Sequence, residues 1–164
     1  MGRDTKRTIR IDLAAQRLDL CDGDTVLQSY PVSTAKNGAG EQDGSECTPR
    51  GSHSIEEKIG AGTPRGSVFI GREPTGEICT ADLFEANPER DWILTRVLRL
   101  GGLEPGRNQG GDVDTRTRNI YIHGCPEAVA VGAPGSHGCI RMRSADVLDL
   151  FDRVEVGARV EIDE

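Results

Sequence analysis

From Thr8 onward, polar and apolar residues alternate. Ile9, Ile11 and Leu13 fall on one side of the segment Thr8-Ile9-Arg10-Ile11-Asp12-Leu13, and Leu18 and Leu20 on one side of Gln16-Arg17-Leu18-Asp19-Leu20. A period of two marks a strand with one buried face, so these segments predict two strands of a meander, closed by the turn signal Cys21-Asp22-Gly23-Asp24. Val26-Leu27-Gln28-Ser29-Tyr30-Pro31-Val32-Ser33 continues in β-rich composition, and the glycine-rich, acidic stretch 37–46 reads as a surface loop.

Further strands are predicted at His53-Ser54-Ile55-Glu56-Glu57-Lys58-Ile59, at Ser67-Val68-Phe69-Ile70, at Trp92 to Leu100 with Trp92 in the core, and at Asn119-Ile120-Tyr121-Ile122-His123. Ala81-Asp82-Leu83-Phe84-Glu85-Ala86 predicts a helical turn. The stretch 101–117 holds five glycines and Pro105 but little apolar content, which predicts a long loop. No Gly-Lys-Ser/Thr follows those glycines, so a flexible substrate-facing loop fits better than a phosphate cradle.

After residue 143 the period changes. Val147, Leu148, Phe151 and Val154 recur at helical spacing, Ser144 is the expected N-cap, and Asp146 suits the first turn. A short helix over about 144–154 follows, ended by Gly157, and Arg159-Val160-Glu161-Ile162 alternates as a closing strand. Many short strands with one late helix predict a mainly β fold of mostly antiparallel strands.

A chain of 164 residues with 35% apolar content supports one core, so a single domain over 1–164 is expected. The net charge of −7 offers no long-range attraction for nucleic acid or anionic lipid. The apolar stretches fall far short of the roughly 20 residues that span a bilayer, so membrane insertion is not expected. The opening Met1-Gly2-Arg3-Asp4-Thr5-Lys6-Arg7 lacks the apolar core of a secretory signal. Five cysteines, at 21, 47, 79, 125 and 139, form no dense disulfide framework. Both features predict a cytoplasmic location, or a periplasmic one if the chain is a trimmed form of a longer exported protein.

The candidate chemistry sits in a doubled tripeptide. His-Gly-Cys occurs at 123–125 and again at 137–139, bringing two of the three histidines and two of the five cysteines within seventeen residues. A thiol becomes a useful nucleophile when a histidine takes its proton. Cys139 is the stronger candidate, because Gly138 leaves it approachable and a following helix would offer free N–H groups to an oxyanion, whereas Cys125 precedes Pro126. His123, at the end of a strand, is preferred as the base. His137 is only two residues from Cys139, and i,i+2 neighbours need not be within hydrogen-bond reach.

The block Ser136-His137-Gly138-Cys139-Ile140-Arg141-Met142, preceded by Ile122-His123-Gly124, closely resembles the active-site signature of L,D-transpeptidase catalytic domains of the YkuD type. The opening strands through Tyr30-Pro31-Val32-Ser33-Thr34, then Thr48-Pro49-Arg50-Gly51, and the helix after the cysteine share the resemblance. It implies the β-sandwich of that catalytic domain, with Cys139 as nucleophile, His123 as base and the Gly124 carbonyl orienting the imidazole. It also implies an oxyanion hole from the amides of Gly138 and Cys139, and supporting or substrate-binding roles for Ser136, His137 and Arg141. No cofactor or metal is implied.

Family members act on bacterial peptidoglycan stem peptides or muropeptides. They cleave the bond between the diamino acid at position three and D-alanine at position four, through a thioester. Water then gives L,D-carboxypeptidase activity, a free D-amino acid gives exchange, and a second stem gives a 3–3 cross-link. The chain resembles short members without a signal, which points to hydrolysis or exchange on soluble muropeptides in recycling, with cross-linking as the alternative. Protein partners are not indicated.

Blander readings stand beside this one. Two His-Gly-Cys copies offer four zinc ligands, although common fingers place paired cysteines two to four residues apart. A zinc-stabilised β domain and a silent muropeptide-binding module are therefore the competing functions. Cys21, Cys47 and Cys79 are expected to be small packing residues, and Cys125 a bystander or an oxidative partner of Cys139. His53 is expected to be a plain surface or core residue. Arg107, Arg116 and Arg118 are expected on a solvated face, with stem carboxylates as their alternative.

Overall fold

The computed structural model describes residues 7–164. The charged segment 1–6, read above for the lack of a signal, lies outside the described residues. The strands are β1 (Arg7–Asp12), β2 (Arg17–Asp22), β3 (Thr25–Pro31), β4 (Gly51–Ile59), β5 (Ser67–Ile70), β6 (Glu73–Ile78), β7 (Ile93–Gly102), β8 (Tyr121–Cys125), β9 (Ile140–Arg143) and β10 (Arg159–Asp163). Among the described residues two α-helices, α1 (Ala81–Ala86) and α2 (Ser144–Arg153), and a 3-10 turn at Gly111–Val113 interrupt them. The fold is mainly β, as the alternation predicts.

The strands form one sheet in the order β3-β2-β1-β10-β4-β7-β5-β6, with β8 joined to β7 and β9 to β8. The sheet branches at β7. There β8 takes one edge, while β4 and β5 take successive stretches of the other. The branch coincides with a register shift between Leu94 and Val97, where Thr95 adopts φ +77°. A β-branched residue in that region is strained, and the Thr95 hydroxyl is held by Ser144 Oγ at 2.7 Å.

Most pairs are antiparallel, but β1 lies parallel to β10 and β8 parallel to β9. The curled sheet packs on α2 around a core that includes Ile9, Ile11, Leu18, Leu20, Ile122 and Ile140. From α2 come the buried Val147, Leu150 and Phe151, each contributing about 1.5–3 kcal/mol of burial. Val154, just past the helix, closes that face, whereas Leu148 is only half-buried.

Several local expectations change. Ser144 is the first helical residue of α2 and not its cap; Arg143 is the cap and makes no side-chain capping bond. Ser144 Oγ is committed to Thr95 and so is unavailable for capping. The helix ends at Arg153, and Gly157, with φ +95°, forms the turn into β10. The edge strand β6 escapes the alternation rule because Pro74 and Gly76 interrupt it.

The first two residues of the long loop belong to β7, and the rest is pinned, not flexible. A Cβ on Gly102 would lie 2.0 Å from the Asn108 carbonyl oxygen, so only glycine permits the approach. Buried Asn108 donates to the carbonyls of Arg50 and Ser52, at 3.0 and 3.1 Å. His53 is a core residue that ties Gly51 O to Thr115 Oγ1, 3.0 Å on each side. Trp92 is buried just before β7, in a satellite cluster with Val68 and Leu94 away from the main core.

Candidate active site

Side-chain alternation on two neighbouring strands builds the site. Parallel β8 and β9 pair Ile122 with Ile140 and His123 with Arg141, which sets Cys139 beside Tyr121. Successive side chains on a strand point to opposite faces. Ile120, Ile122, Ile140 and Met142 therefore enter the core, while Tyr121, His123, Cys139 and Arg141 line a cleft of about 310 Å³. Gly71, Asp91, Ile93, Arg118, Asn119, Ser136 and His137 complete its lining.

Cys139 thus precedes the strand β9, and the helix expected from about residue 144 begins at Ser144. Its sulfur accepts the Tyr121 N–H at 3.3 Å and lies 3.5 Å from the Asn119 carbonyl. Half-buried, it packs against Phe69, Ile93, Val97 and Tyr121. Burial is the main reason its thiol is pushed up to about 11, helped by Asp91 and opposed by the Tyr121 N–H, Arg141 and Arg118.

His123 is buried, and its Nδ1 lies 2.7 Å from the Gly124 carbonyl oxygen. A carbonyl can only accept, so Nδ1 carries the proton and Nε2 is left with a free lone pair. Burial lowers the imidazole below its ordinary value, against opposing contributions from the Gly124 carbonyl and Asp91. Both shifts favour the uncharged forms, a thiol and a neutral imidazole, over a preformed thiolate–imidazolium. Gly124 itself is obligatory, since a Cβ there would stand 2.6 Å from the Leu94 carbonyl oxygen.

The loop 136–139 is closed upon itself. Ser136 Oγ donates to the Cys139 carbonyl at 2.6 Å and accepts the Gly138 N–H at 3.2 Å. Of the two amides expected to face an oxyanion, that of Gly138 is therefore turned to Ser136. Among the described residues the Cys139 N–H has no protein partner. Gly138 has φ +131°, and a Cβ on it would meet Ile120 Cδ1 at 3.1 Å and the Cys47 carbonyl at 3.3 Å. Thr48 Oγ1 holds the Gly138 carbonyl at 2.9 Å, tying the loop to the preceding chain.

His137 is exposed at the rim, and Arg141 donates to the Gly135 carbonyl at 3.2 Å. Arg107 and Arg116 sit outside the cleft, on Glu104 and Glu56, at 3.4 and 3.0 Å. Arg118 lines the cleft while donating to the carbonyls of Gly40, Glu41 and Cys47. Tyr121, Asn119 and Asp91 are site residues that the motif does not flag. For Tyr121, alternation from His123 is a usable signal; for Asp91 the sequence carries none.

The four residues of the two His-Gly-Cys copies are not assembled into one cluster. Among the described residues no group of three or more His, Cys, Asp or Glu side chains is placed to hold a metal ion. Cys125 is buried, donates to the Met142 carbonyl at 3.3 Å, and lines a separate, more apolar cavity of about 400 Å³ with Cys79 and Ser144. Its thiol is likewise pushed up to about 11, by burial. All five cysteines are free, with Cys21 buried in β2 and Cys47 and Cys79 half-buried.

The sequence profile of the L,D-transpeptidase catalytic domain, YkuD, matches residues 6–162. A probable L,D-transpeptidase of Escherichia coli K12, YbiS, is 48% identical over 48 residues, which is 29% of this chain and 16% of that protein. The probable L,D-transpeptidase ErfK/SrfK of Salmonella typhimurium is 47% identical over 45 residues, 27% of this chain and 15% of that one. Among solved structures, an L,D-transpeptidase from Mycobacterium smegmatis superimposes with a TM-score of 0.57 at 19% identity. It covers 98% of this chain, which in turn spans 59% of that one. One from Mycobacterium tuberculosis superimposes with a TM-score of 0.60 at 16% identity, covering 98% of this chain and 58% of its own. The matched part thus spans well under two thirds of each of these relatives.

Proposed function

The chain belongs to the L,D-transpeptidase catalytic-domain family, and from that premise we propose that it is a cysteine acyl-transfer enzyme of peptidoglycan stem tetrapeptides. Cys139 is the nucleophile and His123 the base. The observation that carries the reading is the 2.7 Å bond from His123 Nδ1–H to the Gly124 carbonyl, which leaves Nε2 ready to take a proton in the cleft that holds Cys139.

In the first half-reaction the sulfur attacks the carbonyl carbon of the diamino acid at position three as His123 Nε2 takes the thiol proton. The carbonyl oxygen becomes an oxyanion, and the unpartnered Cys139 N–H is its donor. Collapse breaks the C–N bond, the D-alanine nitrogen leaves with the proton from the imidazolium, and a thioester remains. In the second half-reaction the incoming water or amine gives its proton to His123 as it attacks. The sulfur leaves and recovers that proton.

Hydrolysis, or exchange of the terminal D-amino acid, is the preferred outcome. The small volume of the cleft and the half-exposed thiol support a small acceptor. The five free cysteines support action in a reducing compartment, on recycled soluble muropeptides. A 3–3 cross-link is the second reading. The observation on its side is a second, smaller cavity of about 100 Å³ that shares Arg141 with the cleft and so lies next to it.

Incubation with a disaccharide-tetrapeptide, with and without a D-amino acid, and mass spectrometry of the products tests both. Tripeptide or exchanged tetrapeptide, absent with Cys139→Ala, is the expected result. No product from the unsubstituted enzyme, or the same product from Cys139→Ala, overturns the proposal.

A further inference from the structure

An acidic chain carries opposed charges in its cleft that it does not itself neutralise. Asp91, exposed in the segment between α1 and β7, faces the same cleft as Cys139, and among the described residues it makes no ion pair. The same cleft is lined by Arg118 and Arg141, whose hydrogen bonds among the described residues go to backbone carbonyls. On the loop that Arg118 grips, Glu41 is taken by Arg50 at 2.9 and 3.0 Å, while Asp43 acts on Arg118 through its charge without forming an ion pair among the described residues. The result is a cleft lined by two arginines and one aspartate that, among the described residues, form no ion pair with one another.

Asp91 works against thiolate formation at Cys139. A carboxylate near the sulfur disfavours the thiolate, and it acts in that direction on Cys139. An anion beside a nucleophilic thiol has a physical rationale when the ligand brings a cation that neutralises it on binding. The stem tetrapeptide has such a cation, the side-chain ammonium of its diamino acid, together with carboxylates for the arginines.

We propose that Asp91 is a specificity-determining residue that receives the free side-chain ammonium of the diamino acid at stem position three, while Arg118 and Arg141 in the same cleft take the stem carboxylates. This rests on the substrate reading above. Binding of the ammonium also offsets the Asp91 share of the raised thiol, a share smaller than that of burial. Asp91 is not a catalytic residue in this scheme; it selects by charge.

The test compares a tetrapeptide bearing a free side-chain amine with the same peptide acetylated on that amine, on the unsubstituted enzyme and on Asp91→Asn. Asp91 is exposed, so the isosteric change leaves folding intact. The expected result is a loss of about tenfold or more in kcat/KM on acetylation, carried mainly by KM, and an Asp91→Asn enzyme that is equally slow on both peptides. Equal turnover of both peptides by the unsubstituted enzyme, or an equal loss on both peptides in Asp91→Asn, overturns the assignment. Calorimetric binding of the two peptides to Cys139→Ala keeps the question separate from the chemistry. A preference for the free amine there supports Asp91 even if no turnover is found, and that absence would sink the acyl-transfer reading alone.

Discussion

The Tyr121 N–H is donated to the Cys139 sulfur at 3.3 Å, a contact created by the parallel register of β8 and β9. It anchors the sulfur where His123, two residues further along β8, shares its face. It also favours the thiolate, but more weakly than burial opposes it, so the thiol rests protonated.

That balance predicts the pH profile. An imidazolium cannot accept the thiol proton, so activity falls as pH drops through the His123 value. Burial has lowered that value, which puts the acid midpoint below the ordinary histidine value of about 6.5. Rates of tripeptide release between pH 4 and 9 should climb below 6.5 and then level off. An acid midpoint at 7.5 or above would contradict a neutral resting pair.

The same balance sets the reactivity of the resting thiol. With Cys139 pushed up to about 11, alkylation by iodoacetamide at pH 7 should be slower than for an ordinary cysteine and should rise steeply toward pH 11. Peptide mapping of the labelled protein against pH measures this. Rapid, pH-independent labelling of Cys139 between pH 6 and 8 would show a thiolate already formed.

Replacing His123 by Asn removes the base while keeping a polar side chain of similar size. Activity should fall by about 10²–10⁴ in kcat, with the far-ultraviolet circular dichroism unchanged. Replacement of His137, exposed at the rim, should change kcat by less than about tenfold. A larger loss from His137→Asn than from His123→Asn would reverse their roles.

Gly138→Ala places a Cβ against Ile120 and the Cys47 carbonyl at φ +131°. The expected cost is about 1–3 kcal/mol of stability, read from urea denaturation, together with loss of turnover, because the shift moves Cys139. An Ala variant with unchanged midpoint and activity would show that the loop relaxes freely.

Tyr30 donates to Asp149 Oδ2 at 2.5 Å, and this bond is the leading reason the Asp149 carboxyl lies below its usual range. A lowered carboxyl contributes stability above its unfolded value, and the contribution is lost as pH falls through the folded one. Tyr30→Phe should therefore cost about 1 kcal/mol at pH 7, discounted because Asp149 is half-exposed. The difference should shrink below about pH 4. A cost that does not change between pH 7 and 3 would remove Asp149 from the account.

The sequence was most legible where the physics is local. Alternation around Ile9, Leu18 and Val160 found β1, β2 and β10, because one buried face imposes a period of two whatever the partner strand is. Local reading failed at Ser144, whose hydroxyl answers to Thr95, 49 residues away, and not to its own helix. It failed again at β6, where edge exposure tolerates Pro74 and Gly76.

For the site, the sequence by itself determined which chemistry is on offer: a cysteine, a histidine, and glycines where no side chain fits, at 124 and 138. Those are properties of residue types and spacing. Only the tertiary structure decided that β8 and β9 run side by side in a register that turns His123 and Cys139 to one face. It alone brought Asp91 and Arg118 from distant segments to the same cleft, and turned the Gly138 amide to Ser136. Pairing between strands and burial within a cleft depend on contacts far apart in the chain, and those contacts set both the protonation of the thiol and the charges that surround it.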